Sequence, residues 1–137
     1  MLKEKVVNKL KSKVGNRSFA KRVTGPIQLA KDLPTWLNYT PSETLVVIAT
    51  DDDDVKQIVE ISLNDFTFDA TKEFIIESYA YIFCLFTSKP SAYAELSDKL
   101  FNLPVHVRET MWIKGNRWAS YICKDIQCCP KKGNLIK

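Results

Sequence analysis

The stretch "YAYIFCLFTSKPSAYAELSDKLFNLPVHVRETMWI", residues 79–113, decides the fold. "YAYIFCLF" is an apolar run of strand length, with Cys84 inside it as a small core hydrophobe. "PSAYAELSDKLFNLP" has helical spacing. It opens at Pro90 or Ser91, turns Tyr93, Leu96, Leu100 and Phe101 inward, and stops at Pro104. "VHVRETMWI" is extended again. A strand, a helix and a strand in this order predict a right-handed crossover between parallel strands.

Working outward, "ETLVVIAT" (43–50) reads as a strand buried on both faces, and "VKQIVEISL" (55–63) returns beside it as a hairpin. The acidic run 51–54 between them is a solvated turn. It lacks the glycine and alternating spacing of a calcium loop. Upstream, "TGPIQLAKDLPTWLNYTP" (24–41) predicts a helix with Thr24 as N-cap, Pro26 in its first turn, and Ile27, Ala30 and Leu33 on one side. Pro34 should break or kink it, leaving Trp36 and Leu37 in a second short turn. "DATKEFIIES" (69–78) reads as a short helix capped by Asp69. The expectation is a single α/β domain over 23–137, a mixed five-stranded sheet with helices packed on it.

The last hairpin, "VHVRETMWIKGNRWASYIC" (105–123), fixes a register. Gly115-Asn116 suits a type II′ turn, which sets Lys114 opposite Arg117, Ile113 opposite Trp118 and Met111 opposite Ser120. Strict alternation then puts Val105, Val107, Met111, Ile113, Trp118 and Ile122 on a core face. The opposite face carries Trp112, Ala119 and Thr110, together with His106, Arg108, Tyr121 and Cys123. A histidine, an arginine, a phenol and a thiol on one side of a sheet form a candidate ligand site, with Arg108 as the anion donor. The alternative is an amphipathic sheet face with nothing bound.

Composition places the chain among soluble globular proteins, with 45% apolar and 26% charged residues in 137. No apolar run reaches the roughly 18 residues of a membrane span. The N-terminus lacks the apolar core of a secretory signal, and four cysteines without one point to the reducing cytoplasm. Charge is unevenly spread. Residues 1–31 carry nine Lys/Arg against one acid, residues 32–100 four against thirteen, and residues 101–137 seven against two. Residues 1–22 therefore read as a basic amphipathic arm. Leu2, Val6, Leu10 and Val14 form its stripe, and Gly15-Asn16 its C-cap. Lys3, Lys5, Lys9, Lys11, Lys13, Arg17, Lys21 and Arg22 could bind nucleic acid; docking on a protein surface is the blander reading, and the one preferred.

Two stretches resemble an uncharacterised family of actinobacterial and actinophage proteins, domain of unknown function 4192. "LAKDLPTWLNYTPSETLVV" (29–47) fits the family's opening pattern, and "RWASYICKDIQCCPKKG" (117–133) fits its closing one. The resemblance covers about residues 23–133. It implies an α/β domain and marks Pro41, Arg117, Trp118, Ser120, Tyr121, Cys123, Cys128, Cys129, Pro130 and Gly133 as signature positions. It implies no activity. Family members continue into a second, largely helical region and lack the basic arm, so this chain resembles a minimal, phage-encoded version, placed in a virion or host cytoplasm.

Three thiols within seven positions leave several chemistries open. A Cys–His nucleophile has His106 on the expected face but no orienting group. A redox pair is disfavoured because Cys128 and Cys129 are adjacent rather than C-x-x-C. Zinc could draw on Cys123, Cys128, Cys129 and His106, although C-x4-C-C departs from knuckle spacing. The preferred reading is a structural corner turned by Pro130 and Gly133, no cofactor, no membrane, and a non-enzymatic binding or assembly module whose partner is a protein or a second copy. Nucleic-acid binding through the arm, or a small-ligand or hydrolytic enzyme using His106, Arg108, Tyr121 and Cys123, are the alternatives.

Overall fold

The computed structural model describes residues 21–64, 75, 78–122 and 132–136. Residues 1–20, 65–74 and 123–131 lie outside that set. The expected arm helix, nearly all of the expected helix 69–78 and Cys123, Cys128, Cys129 and Pro130 fall there.

Helix α1 spans Pro26–Leu37, β1 Thr44–Asp51, β2 Asp54–Ser62 and β3 Ala80–Phe86. A 3-10 turn at Pro90–Tyr93 leads into α2 (Ala94–Phe101), followed by β4 (His106–Lys114), β5 (Arg117–Ser120) and β6 (Asn134–Leu135). The protein is mixed α/β, and its sheet has six strands in the order β2-β1-β3-β4-β5-β6. The sixth strand corrects the expected five: β6 has only two residues, too few to alternate visibly in sequence. β3 and β4 are parallel and joined through α2, while every other neighbouring pair is antiparallel. No described helix is long and apolar enough to cross a membrane.

Both sheet faces are covered. On one, Leu45, Val47, Tyr81, Phe83 and Leu85 pack with Leu100 of α2, with Leu103 and with Trp112. On the other, Val46, Ile48, Ile82, Cys84 and Met111 pack against Leu29, Ala30, Leu33 and Leu37 of α1. Near-continuous burial along β1 and β3 follows from having a core on each side.

α1 departs from expectation at both ends. Gly25, not Thr24, is the N-cap, and Thr24 instead donates its N–H to Gln28 Oε1 at 3.0 Å. The helix also continues through Pro34. Proline costs a helix its own N–H and its fit against the preceding turn, but this one lies in the last turn. The chain then closes at Asn38, in left-handed conformation with φ 67, where Tyr39 donates to Pro34 O at 3.1 Å. Ile27 and Phe101, expected to face inward, are exposed at 43% and 42%.

The β4–β5 register is the expected one, Met111 with Ser120, Trp112 with Ala119, Ile113 with Trp118 and Lys114 with Arg117. Gly115 sits at φ 59, as the first position of a II′ turn requires. The face assignment is not as expected. Tyr81 pairs with Val107 but Ile82 pairs with Glu109, so Arg108 is an extra residue in a β-bulge. Alternation changes phase there. Val107 joins Trp112 in the α2-side core, while Met111 and Ile113 face α1. Ile122, expected in the core, is exposed at 37%.

Candidate functional site

The bulge separates the residues that strict alternation would gather. His106 is exposed at the start of β4, opposite Ala80. Arg108 lines a small cleft under the start of α1 with Val23, Pro26, Leu29 and Glu109. Tyr121 packs on the α2 side and donates its hydroxyl to Pro90 O at 2.7 Å. Burial pushes its phenol pKa up, so at neutral pH it is a donor, not a base. Cys123 lies outside the described residues. Arg108 and Tyr121 thus serve opposite faces, and the expected four-residue cluster does not form between them.

Arg108 is committed to structure. Its Nη1 donates to Asp52 O at 2.9 Å and to Thr50 Oγ1 at 3.2 Å, and its Nη2 pairs with Asp53 Oδ1 at 3.0 Å. The acidic turn is therefore pinned, with Asp52 held at φ 53. Arg22 adds pairs to Asp53 and Asp54 at 3.8 and 3.7 Å. Residues 21–23 lie alongside: Val23 donates to Asp53 O and Val55 to Lys21 O, both at 2.8 Å. Lys21 is buried. The last two basic residues assigned to the arm thus belong to the domain, which begins at or before residue 21.

Next to Arg108, the Glu109 carboxyl faces the α1 side. Ser120 Oγ donates to it at 2.6 Å and the Thr110 N–H at 2.9 Å. Burial raises its pKa above the carboxylate range, against the opposing pull of those two donors. Its neighbour Cys84 is fully buried, with a thiol pushed upward for the same reason.

Arg117, Ser120 and Tyr121, at and just after β5, act as fasteners. Arg117 donates to Gly133 O at 3.1 Å, and Ser120 and Tyr121 make the bonds given above. Gly133 sits at φ 83, and a Cβ placed on it would lie 2.5 Å from Trp112 Cη2. Only glycine fits that approach. Among the described residues no group of three or more His, Cys, Asp or Glu could hold a metal ion.

Sequence reading missed a second cleft, of about 180 Å³, at the carboxyl ends of the parallel strands β3 and β4. Open α/β sheets commonly bind ligands at this end. Phe86, Ile113 and Pro41 form its apolar lining, and Thr40, Ser42, Glu43, Thr87, Ser88 and Lys114 its polar rim. Glu43 accepts the Thr87 hydroxyl on Oε1 and the Ser88 N–H on Oε2, each at 2.8 Å. Its carboxyl is held below the ordinary range, first by the Ser88 N–H and then by the Thr87 hydroxyl. The signal was present as "TSKPS" directly after a strand, a loop rich in small donors. Comparison with known proteins adds no relative: no family model, no curated protein and no solved structure matches this chain.

Proposed function

We propose that this chain is a non-enzymatic α/β binding or assembly module acting through protein–protein contacts, by self-association or complex formation. One observation carries the reading: among the described residues, and apart from the exposed His106, the polar groups best suited to chemistry are bonded within the fold. Arg108 holds the β1–β2 turn, Tyr121 holds Pro90, Glu109 holds Ser120 and Glu43 holds the loop after β3. Catalysis needs such groups pointed at a substrate. Tyr39, Phe101, Ile122 and Leu135 are exposed, offering aromatic and aliphatic surface of the kind interfaces cover. The resemblance carried by residues 29–47 and 117–133 belongs to the same proposal and brings no activity with it.

Nucleic-acid binding through the basic arm is the competing reading. Arg22, paired with Asp53 and Asp54, and the buried Lys21 contribute little to it. Sedimentation equilibrium of the full chain, over a range of concentration and salt and with or without duplex DNA, separates the two. A mass rising with concentration above the 15.7 kDa monomer supports assembly. A chain that stays monomeric and gains mass only with DNA at low salt replaces this reading with the other.

A further inference from the structure

We infer that the Thr87–Ser88 turn is a carboxylate-recognition site for an acidic peptide segment of a partner protein, closed in the free chain by Glu43. The inference rests on the protein-binding reading above and names the chemistry of the partner.

Two donors converge on one carboxylate: the Ser88 N–H and the Thr87 hydroxyl, each at 2.8 Å. They are preorganised. Lys89 donates its N–H to Thr87 Oγ at 3.0 Å, which orients the hydroxyl, and the Thr87 N–H donates to Ile113 O at 3.1 Å, which ties the loop to the end of β4. Paired donors fixed by their own backbone bonds recognise a carboxylate whichever chain supplies it.

The internal carboxylate rides on a strained residue, although the Glu43 carbonyl accepts the Leu63 N–H at 2.9 Å. Glu43 sits at φ 47, a left-handed conformation that non-glycine residues avoid. It is only partly buried, and it belongs to the connection before β1 rather than to a strand. The open cleft lies directly beside it, so an incoming carboxylate has an approach path. Charge favours such a ligand, because Lys114 is on the rim and Lys89 is close enough to lower the Glu43 pKa. The apolar lining of Phe86, Ile113 and Pro41 would receive an apolar side chain adjacent to the acid. An acidic residue beside a leucine or similar residue fits this site; a bare polyanion does not use the floor.

Amide NMR of the full-length chain tests this, with sodium acetate and a blocked Leu-Glu dipeptide as probes. In a Glu43→Ala variant the Ser88 amide should lose its hydrogen-bonded shift and regain it saturably as acetate is added. The wild-type Ser88 amide should respond at least about tenfold more weakly, since Glu43 competes. The dipeptide should bind more tightly than acetate, and adding Thr87→Val should weaken both by about tenfold, as loss of one hydrogen bond to a charged group implies. Should the alanine variant fail to fold, Glu43→Gln removes the charge and reports through the same amide. A Ser88 amide that ignores acetate in a folded variant overturns the site. Acetate binding without a gain for the dipeptide overturns the peptide assignment. Neither outcome bears on self-association, which sedimentation reads separately.

Discussion

Trp112 and Gly133 meet so closely that a single added carbon on the glycine would overlap the indole ring, 2.5 Å from its Cη2 atom. Arg117 holds the same glycine by its carbonyl at 3.1 Å. The last described segment is thereby clasped to the β4–β5 hairpin. Gly133→Ala should cost about 2–3 kcal/mol, from overpacking together with strain at φ 83. Trp112→Ala should cost about 3–5 kcal/mol, because the indole is 9% exposed within the α2-side core. Trp118→Ala should cost less, since Trp118 is half-buried at the margin of the other core. Denaturant melts of the three variants give the order directly. Strict alternation alone would place Trp118 deeper than Trp112, and the two covered faces reverse that.

Removing Arg108 should loosen the acidic turn. Arg108→Met keeps much of the apolar stem but strips the Asp52 carbonyl of this donor and leaves Asp53 with only its longer pair to Arg22. The expected loss is about 1–3 kcal/mol, typical of hydrogen bonds to a charged group. Arg108→Lys should recover only part of it, since one ammonium cannot reproduce the two-pronged guanidinium contact. Hydrogen exchange at Val55, whose amide bonds to Lys21 O beside this turn, reports local opening.

Glu43 and Glu109 should respond to pH with opposite signs. The Glu43 carboxyl is lowered by its donors, so its contribution is present above the unfolded carboxylate range and fades as acid protonates it in the fold. Burial raises the Glu109 carboxyl, so its contribution is fully present in acid and is lost as pH rises through its folded value. Glu43→Gln should therefore destabilise at neutral pH, and Glu109→Gln, which keeps an acceptor for Ser120 and Thr110, should stabilise. Both differences should shrink toward zero in acid. Thermal melts at neutral pH and well below the carboxylate range test the pair, and equal signs for the two variants would refute it.

Deleting residues 1–20 should leave the thermal transition unchanged and abolish any affinity for duplex DNA. That affinity, where present, should fall steeply with salt through counterion release. Extending the deletion through Val23 should lower the transition as well. The longer cut removes the backbone bonds to Asp53 and Val55 and the buried Val23 side chain. Fluorescence anisotropy over a salt series and calorimetry on the same samples read the two effects.

Much of the architecture was legible because hydrophobic runs and turn residues announce themselves locally. Gly115-Asn116 alone set the β4–β5 register, and the run from Tyr79 to Ile113 foretold a parallel pair joined by a helix. The bulge at Arg108 was not legible, since strand reading assumes constant phase and one extra residue inverts everything before it. A clue existed in the odd separation of Val107 from Trp112, two large apolar residues that share a face. The partners of Arg108 were invisible for a different reason. Asp52 and Asp53 lie more than fifty positions away, and charge alone does not say which carboxylate an arginine will meet. The cleft beside Glu43 was hidden likewise, because it is assembled from three connections that only the sheet brings together.

The strand order has a kinetic side. Only β1–β2 and β4–β5 are joined by tight turns, and these two hairpins occupy opposite sides of β3 in the sheet. Each can pair soon after collapse, on the microsecond scale of hairpin closure. β3 must then be captured between β1, separated from it by β2 and residues 63–79, and β4, reached only through the α2 crossover. Closing such loops costs entropy before any contact repays it. The slow step in refolding should therefore be insertion of the central strand. Substitutions at Phe83 or Leu85 should slow folding, whereas those in the β4–β5 turn should chiefly hasten unfolding.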